Sequence, residues 1–183
     1  MTYDLAIRGG TLVGPDGRRE ADVYVTAGRI AAVDDRGAAA TEVDATGLLV
    51  MPGMVDAHVH LMDPGDPTRE DFPHGTAAAA RAGVTTLIEH THAAPVVTAD
   101  DMRAKVEHLS GRSRIDYALA AHAMPGRLEG IAELEDAGIA FIKAFTCSTH
   151  GLIGFSPAEL RELFEVVAAN RTVCLVHCED ESL

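Results

Sequence analysis

"PGMVDAHVHLMDPG", residues 52–65, sets two histidines one residue apart, His58 and His60, in an apolar run bounded by glycine turns. Successive side chains of a strand point to opposite faces. Asp56, His58 and His60 therefore share one face of the strand this run predicts, and Val55, Ala57 and Val59 take the other. Two imidazoles near the end of a buried strand are either a hydrogen-bonded core pair or the ligands of one metal ion. The segments on either side of this stretch bear on that choice.

Upstream, residues 1–51 read as short strands broken by glycine, with Ala27-Gly28 as a hairpin turn. Downstream, strands alternate with helices. Strands are predicted over 54–60, 84–90, 115–123, 139–145 and 172–177. Helices are predicted over 73–82, closed by Gly83; over 99–109, opened by a Thr98/Asp101 capping box; and over 127–137, closed by Gly138. A last helix opens with Ser156 as N-cap, Pro157 at the first position and Glu159 at the third. Its buried stripe is Leu160, Leu163, Phe164 and Val167.

Near-continuous apolar strands in a β-then-α rhythm imply a parallel sheet covered by helices. An open doubly wound sheet and a (β/α)8 barrel both satisfy that rhythm. The glycine fingerprint of a dinucleotide site is absent after the first strand. Instead, His60, His90, His122, Lys143 and His177 stand at strand C-termini, which in a barrel converge on one mouth. The expected class is α/β: the N-terminal part of a (β/α)8 TIM-type barrel, with its first five β/α units in 52–183, preceded by a small all-β unit in 1–51. Five strands do not close an eight-stranded barrel of about 250 residues. The simplest expectation is that the chain is the N-terminal portion of a longer protein; completion by a partner chain is the alternative.

Composition excludes other classes. A hydrophobic share of 47% against 23% charged residues is a globular balance rather than a disordered one. Fifteen basic against 28 acidic residues, a net charge of −13, leave no basic footprint for nucleic acid. No apolar run is long enough for a membrane helix, and the N-terminus lacks the features of a signal peptide. Cys147, Cys174 and Cys178 make an odd, unevenly spaced set, which fits a reducing cytoplasm rather than a disulfide framework.

Lys143 lies between Phe141, Ile142, Ala144 and Phe145 with no acidic residue in its strand. A buried ammonium is costly unless it is paired or deprotonated. Three outcomes are open: the amine snorkels out at the strand end, it forms Schiff bases, or it captures carbon dioxide. The resulting carbamate is an anionic two-oxygen ligand able to bridge two metals, which an all-histidine site lacks. His177 closes "VCLVH", expected to be a buried strand, and Glu179 and Asp180 stand ready to orient it.

"PGMVDAHVHLMDPG", "AGVTTLIEH", "FIKAF" and "VHCED", in that order and spacing, resemble the cyclic-amide branch of the amidohydrolase superfamily. That branch comprises allantoinases, dihydropyrimidinases or hydantoinases, and dihydroorotases. The resemblance implies a distorted (β/α)8 barrel holding two zinc ions, preceded by a small accessory β-sandwich piece in 1–51. It implies that His58 and His60 bind the more buried metal, that carbamylated Lys143 bridges the pair, and that His177 binds the exposed one. It also implies hydrolysis of a ring C–N bond in a small cyclic amide or ureide by a metal-bridged hydroxide. The branch's further histidine ligand and its general-base aspartate have no counterpart in these residues. Met62 stands where dihydroorotases carry arginine, and Ser148 where dihydropyrimidinases carry an oxyanion-donating tyrosine. Allantoinase-like is the remaining label, with Ser148 a candidate substrate contact and a homo-oligomer, dimer or tetramer, expected.

His90 and His92 form a second His-x-His pair without the branch's flanking residues, and together with His122 they are read as mouth lining. His74, His108 and His150 are read as surface or loop residues. The rival from another class is a non-catalytic scaffold of the same fold. Such proteins lose metal ligands, whereas every ligand position that can be present here is present.

Overall fold

The computed structural model describes residues 2–182, and the chain divides into two compact units, Met1–Pro52 and Gly53–Leu183. The first is all β. Its strands are β1 (Thr2–Gly14), β2 (Gly17–Thr26), β3 (Arg29–Val33), β4 (Ala38–Asp44) and β5 (Leu49–Val50). Both residues of the β2–β3 turn, Ala27 and Gly28, have positive φ, as a right-twisted two-residue hairpin demands. The resemblance implies a small accessory sandwich here; among the described residues the hydrogen bonding joins all five strands in one sheet, β3-β2-β1-β4 with β5 on β1. The reason lies in β1. A register shift between Ile7 and Gly10 bends this long strand, so its first half pairs with β4 and its second with β5. Gly10 is required there, because a Cβ would stand 2.5 Å from Val50 Cγ2.

The second unit is a β/α alternation: β6 (Met54–Val59), α1 (Phe72–Arg81), β7 (Val84–Glu89), α2 (Ala99–Leu109), β8 (Asp116–Leu119), β9 (Ala121–His122), α3 (Ile131–Asp136), β10 (Ile142–Phe145), α4 (Pro157–Asn170) and β11 (Cys174–His177). All pairings are parallel, in two three-stranded sheets, β6-β7-β8 and β9-β10-β11. The pattern predicts a continuous strand over 115–123; the structure breaks it at Ala120. There one N–H turns to Glu89 of β7 and the next, from Ala121, to Phe141. That switch links the two sheets into an arc of strands in sequence order.

Local chemistry explains the helix ends. Thr98 with Asp101 and Ser156 with Glu159 both form reciprocal capping boxes, and Asp71 caps α1 by accepting from the His74 N–H. Helix α3 is shorter than the predicted 127–137. Gly126 takes a positive φ, and the next residues form turns rather than a helical first turn. Leu61, Phe72, Leu87, Leu109, Ile142 and Leu163 anchor one apolar core between arc and helices.

Three expectations of burial are corrected. Strand β6 is exposed, not buried, with Met54 at 59% and Val55 at 60%. It is an edge strand, paired only with β7. Strand β11 is the other edge and is half-buried for the same reason. On α4, Leu163 and Val167 face the core, but Phe164 is 44% exposed. The buried arc of that helix is narrower than the four-residue stripe implied.

Candidate metal centre

Because the arc is parallel, all its C-terminal ends face one way, and the chemistry-bearing residues collect there. His58 and His60 lie at the end of β6, His90 follows β7, and His122 ends β9. Lys143 lies in β10, and His177 ends β11. In the ladder Lys143 pairs with His122 and Phe145 with His177, so their side chains share one face of the arc.

His58, His60 and His90 form a triad. Ring centroids are 5.3 Å apart for His58–His60, 4.4 Å for His58–His90 and 4.6 Å for His60–His90. One ring nitrogen of each lies within 4.8 Å of the others. His90 is 1% exposed, and neither of its ring nitrogens has a hydrogen-bond partner; His60 Nδ1 has none either. A buried polar atom without a partner ordinarily costs about 1–3 kcal/mol, so the arrangement calls for a ligand. Burial, then the neighbouring His60 and His58, push His90 down to about 2. Burial, then His58 and His92, push His60 down to about 4. Burial also lowers His58, with further contributions from Lys143 and His177. These rings are therefore neutral donors at neutral pH, the state in which imidazole binds a metal. The residues present fit a divalent cation.

Lys143 is 1% exposed, and burial lowers its pKa. The influences opposing that shift come from Cys178 and Cys174, with no carboxylate among them. Its Nζ lies 5.3 Å from the Phe145 ring centroid. His122 stacks on the other side of this neighbourhood, 6.1 Å from Phe145, with both ring nitrogens unpartnered. Burial, then Lys105 and Lys143, push it down to about 3.

His177 stands outside the triad. Its Nε2 donates to Glu179 Oε1 at 2.8 Å, and Cys147, His177 and Glu179 make a second cluster of potential ligand atoms. Ser148 is exposed in the loop after β10. Its N–H donates to Glu181 at 2.5 Å, and its Oγ accepts the Gly154 N–H at 3.3 Å. A cavity of about 600 Å³ opens beside it, lined also by Phe155, Glu179 and Glu181.

Three supports of the site escaped the sequence reading. His90 is held against the β6 end by its own N–H, which donates to Val59 O at 3.0 Å. Behind it, fully buried Glu89 pairs with Lys105 at 2.5 Å and accepts the Thr91 N–H at 2.7 Å, fixing the turn that carries His90. Below His60, Asp63 is 1% exposed and accepts from the Phe72 N–H and from Arg112, with His108 Nε2 2.6 Å away. His108 is thus an anchor of the His60 loop rather than a bystander. The sequence offered no local signal for it: His108 is in the last turn of α2, but Arg112 lies in the turn beyond its end.

A parallel α/β arc with convergent imidazoles at its C-terminal ends defines a candidate metalloprotein. The model of the amidohydrolase family matches residues 49–183, and the chain belongs to that family. An allantoinase of Salmonella paratyphi B is 36% identical over 157 residues, 83% of this chain. The chain spans 35% of the length of that relative. Among solved structures, the L-hydantoinase (dihydropyrimidinase) of Arthrobacter aurescens superposes with a TM-score of 0.92 at 35% identity, over 98% of this chain and 42% of that one. A D-hydantoinase of Bacillus sp. AR9 superposes with a TM-score of 0.85 at 27% identity, over 98% of this chain and 40% of that one.

Proposed function

We propose that the full-length protein is a metal-dependent hydrolase that opens a ring C–N bond in a cyclic amide or ureide of allantoin or hydantoin type. The observation that carries this is the gathering of unpartnered neutral imidazoles and a lysine without counter-charge at one end of a parallel arc. The similarity to allantoinases and hydantoinases supports the substrate class. In this reading the arc is the first part of a (β/α)8 barrel in 52–183, and residues 1–51 are its accessory subdomain. Exposed Met54, Val55 and Val173 on the edge strands are apolar surface that further strands would cover.

His58 and His60 would hold one divalent cation and His177 a second, zinc being well matched to imidazole. Glu179 keeps the His177 proton on Nε2 and frees Nδ1 as the donor. Lys143, as a carbamate, would offer an anionic oxygen to each cation. The lone pair of its neutral Nζ attacks the carbon of carbon dioxide; an N–C bond forms, one C–O π bond opens onto oxygen, and one N–H proton passes to water. The side chain thereby changes from a potential cation to an anion. When bound, the cation pair supplies Lewis-acid chemistry, polarising a carbonyl and lowering the pKa of water. Ser148, at the rim of the cavity, is the candidate contact to the ring substrate. This reading assigns the general-base carboxylate to residues outside 1–183. It includes a homo-oligomer in a reducing cytoplasm.

The test is elemental analysis and ring hydrolysis on the full-length protein. Two zinc ions per chain are expected, with turnover of allantoin, hydantoin or dihydrouracil. Lys143→Met should reduce the metal content from two to one and abolish turnover. Two metals retained in that variant would refute the carbamate bridge, and a metal-replete protein inert toward all three rings would refute the activity.

A further inference from the structure

We infer that His90 is a third protein ligand, with His58 and His60, of a borderline first-row divalent cation, so that this end of the arc holds one metal by three imidazoles without help from Lys143. The inference rests on the proposal above that a cation binds here, and extends its ligand set. A core histidine used for packing normally satisfies at least one ring nitrogen. His90 satisfies neither, although it is 1% exposed; its ring neighbours are His58, His60 and His122, with Phe141 edge-on at 5.5 Å.

The geometry is that of a facial triad. Zinc–nitrogen bonds of about 2.0–2.1 Å put tetrahedral ligand nitrogens about 3.3 Å apart. The three nitrogens here already lie within 4.8 Å of one another. The backbone that carries His90 is tied down. The His90 N–H is bonded to Val59 O, and the turn after β7 is fixed by the buried Glu89–Lys105 pair. Neutral nitrogen donors with no carboxylate select zinc, cobalt, nickel or copper over magnesium or calcium.

The experiment isolates this site in the full-length Lys143→Met protein, using zinc or cobalt(II) alone as the probe. X-ray absorption should count three imidazoles around one zinc. Adding His90→Met, which fills the buried volume with a weak ligand, should reduce zinc affinity at least about 100-fold in chelator competition, as loss of an inner ligand does. His90→Cys should restore affinity and add a sulfur scatterer at about 2.3 Å. If His90→Met keeps affinity within about two-fold while His60→Met loses the metal, His90 is packing only and the metal site itself stands. If His60→Met also keeps the metal, the proposed site falls together with this inference. Should His90→Met fail to fold by far-UV circular dichroism, the cysteine variant decides: a bound zinc without sulfur scattering overturns the assignment.

Discussion

Replacing Lys105 by Met tests whether the β7 turn is held by electrostatics. Glu89 is 0% and Lys105 4% exposed in side chain, and they pair at 2.5 Å. Burial already raises Glu89 above the ordinary carboxyl range, against the opposing influence of Lys105. Without that ammonium, the carboxylate must be tolerated uncompensated or take up a proton. Protonation sets the ceiling: for an unfolded-state value of about 4.3, neutralising Glu89 at pH 7 costs about 3.7 kcal/mol, within the range for breaking a buried pair. The sign follows from the raised folded value. The neutral carboxyl's contribution is fully present below about pH 4.3 and is lost as pH rises through the folded pKa. The penalty of Lys105→Met should therefore shrink to about 1 kcal/mol at pH 5. Protonation of His60, His90 and His122 destabilises variant and parent alike on acidification, so the difference between them reports Glu89. The assay is urea unfolding in chelator, followed at 222 nm; the four helices among the described residues belong to the Gly53–Leu183 unit, so this signal reports mainly that unit. Glu89→Gln combined with Lys105→Met should recover most of the loss and remove its pH dependence. A cost under about 1 kcal/mol at pH 7, or one that persists unchanged at pH 5, would refute the reasoning.

Asp63→Asn should cost about 2 kcal/mol at pH 7 in the same assay, less than a fully buried pair because His108 and Arg112 are 39% and 37% exposed. Burial opposes ionisation of Asp63, but His108, the Phe72 N–H and Arg112 outweigh it and lower its pKa. The difference should therefore be present above about pH 3.9 and vanish as pH falls through the folded value. Thr98→Ala and Ser156→Ala should each cost about 1 kcal/mol in urea unfolding. Because they cap different helices, the double variant should show the sum.

The elements legible in advance were those whose cause is local. Thr98 and Ser156 announced their helices because a capping box is complete within four residues. Gly83 announced the end of α1 because its φ of +85° suits glycine. The break at Ala120 was not legible, since it arises from two different neighbouring strands competing for successive N–H groups. Phe164 was misjudged because a helical stripe says which residues share a face, not how wide a face the neighbours cover.

The same division runs through the site. His58 and His60 could be paired from the chain alone, because a strand's two-residue period puts them on one side whatever surrounds them, and Lys143 declared itself as a charge among apolar neighbours. The place of His90 in the triad could not be read that way: its neighbours come from β6, thirty residues earlier, through the Val59–His90 hydrogen bond. Nor could the pairing of Glu89 with Lys105, or of Asp63 with Arg112, since the first joins a strand end to α2 and the second joins the loop after β6 to the turn beyond α2. Period, caps and turns are properties of consecutive residues, and the sequence determined them. Which imidazoles meet, and which charges are buried against each other, depend on how the arc curves and the helices pack, and only the tertiary structure decided that.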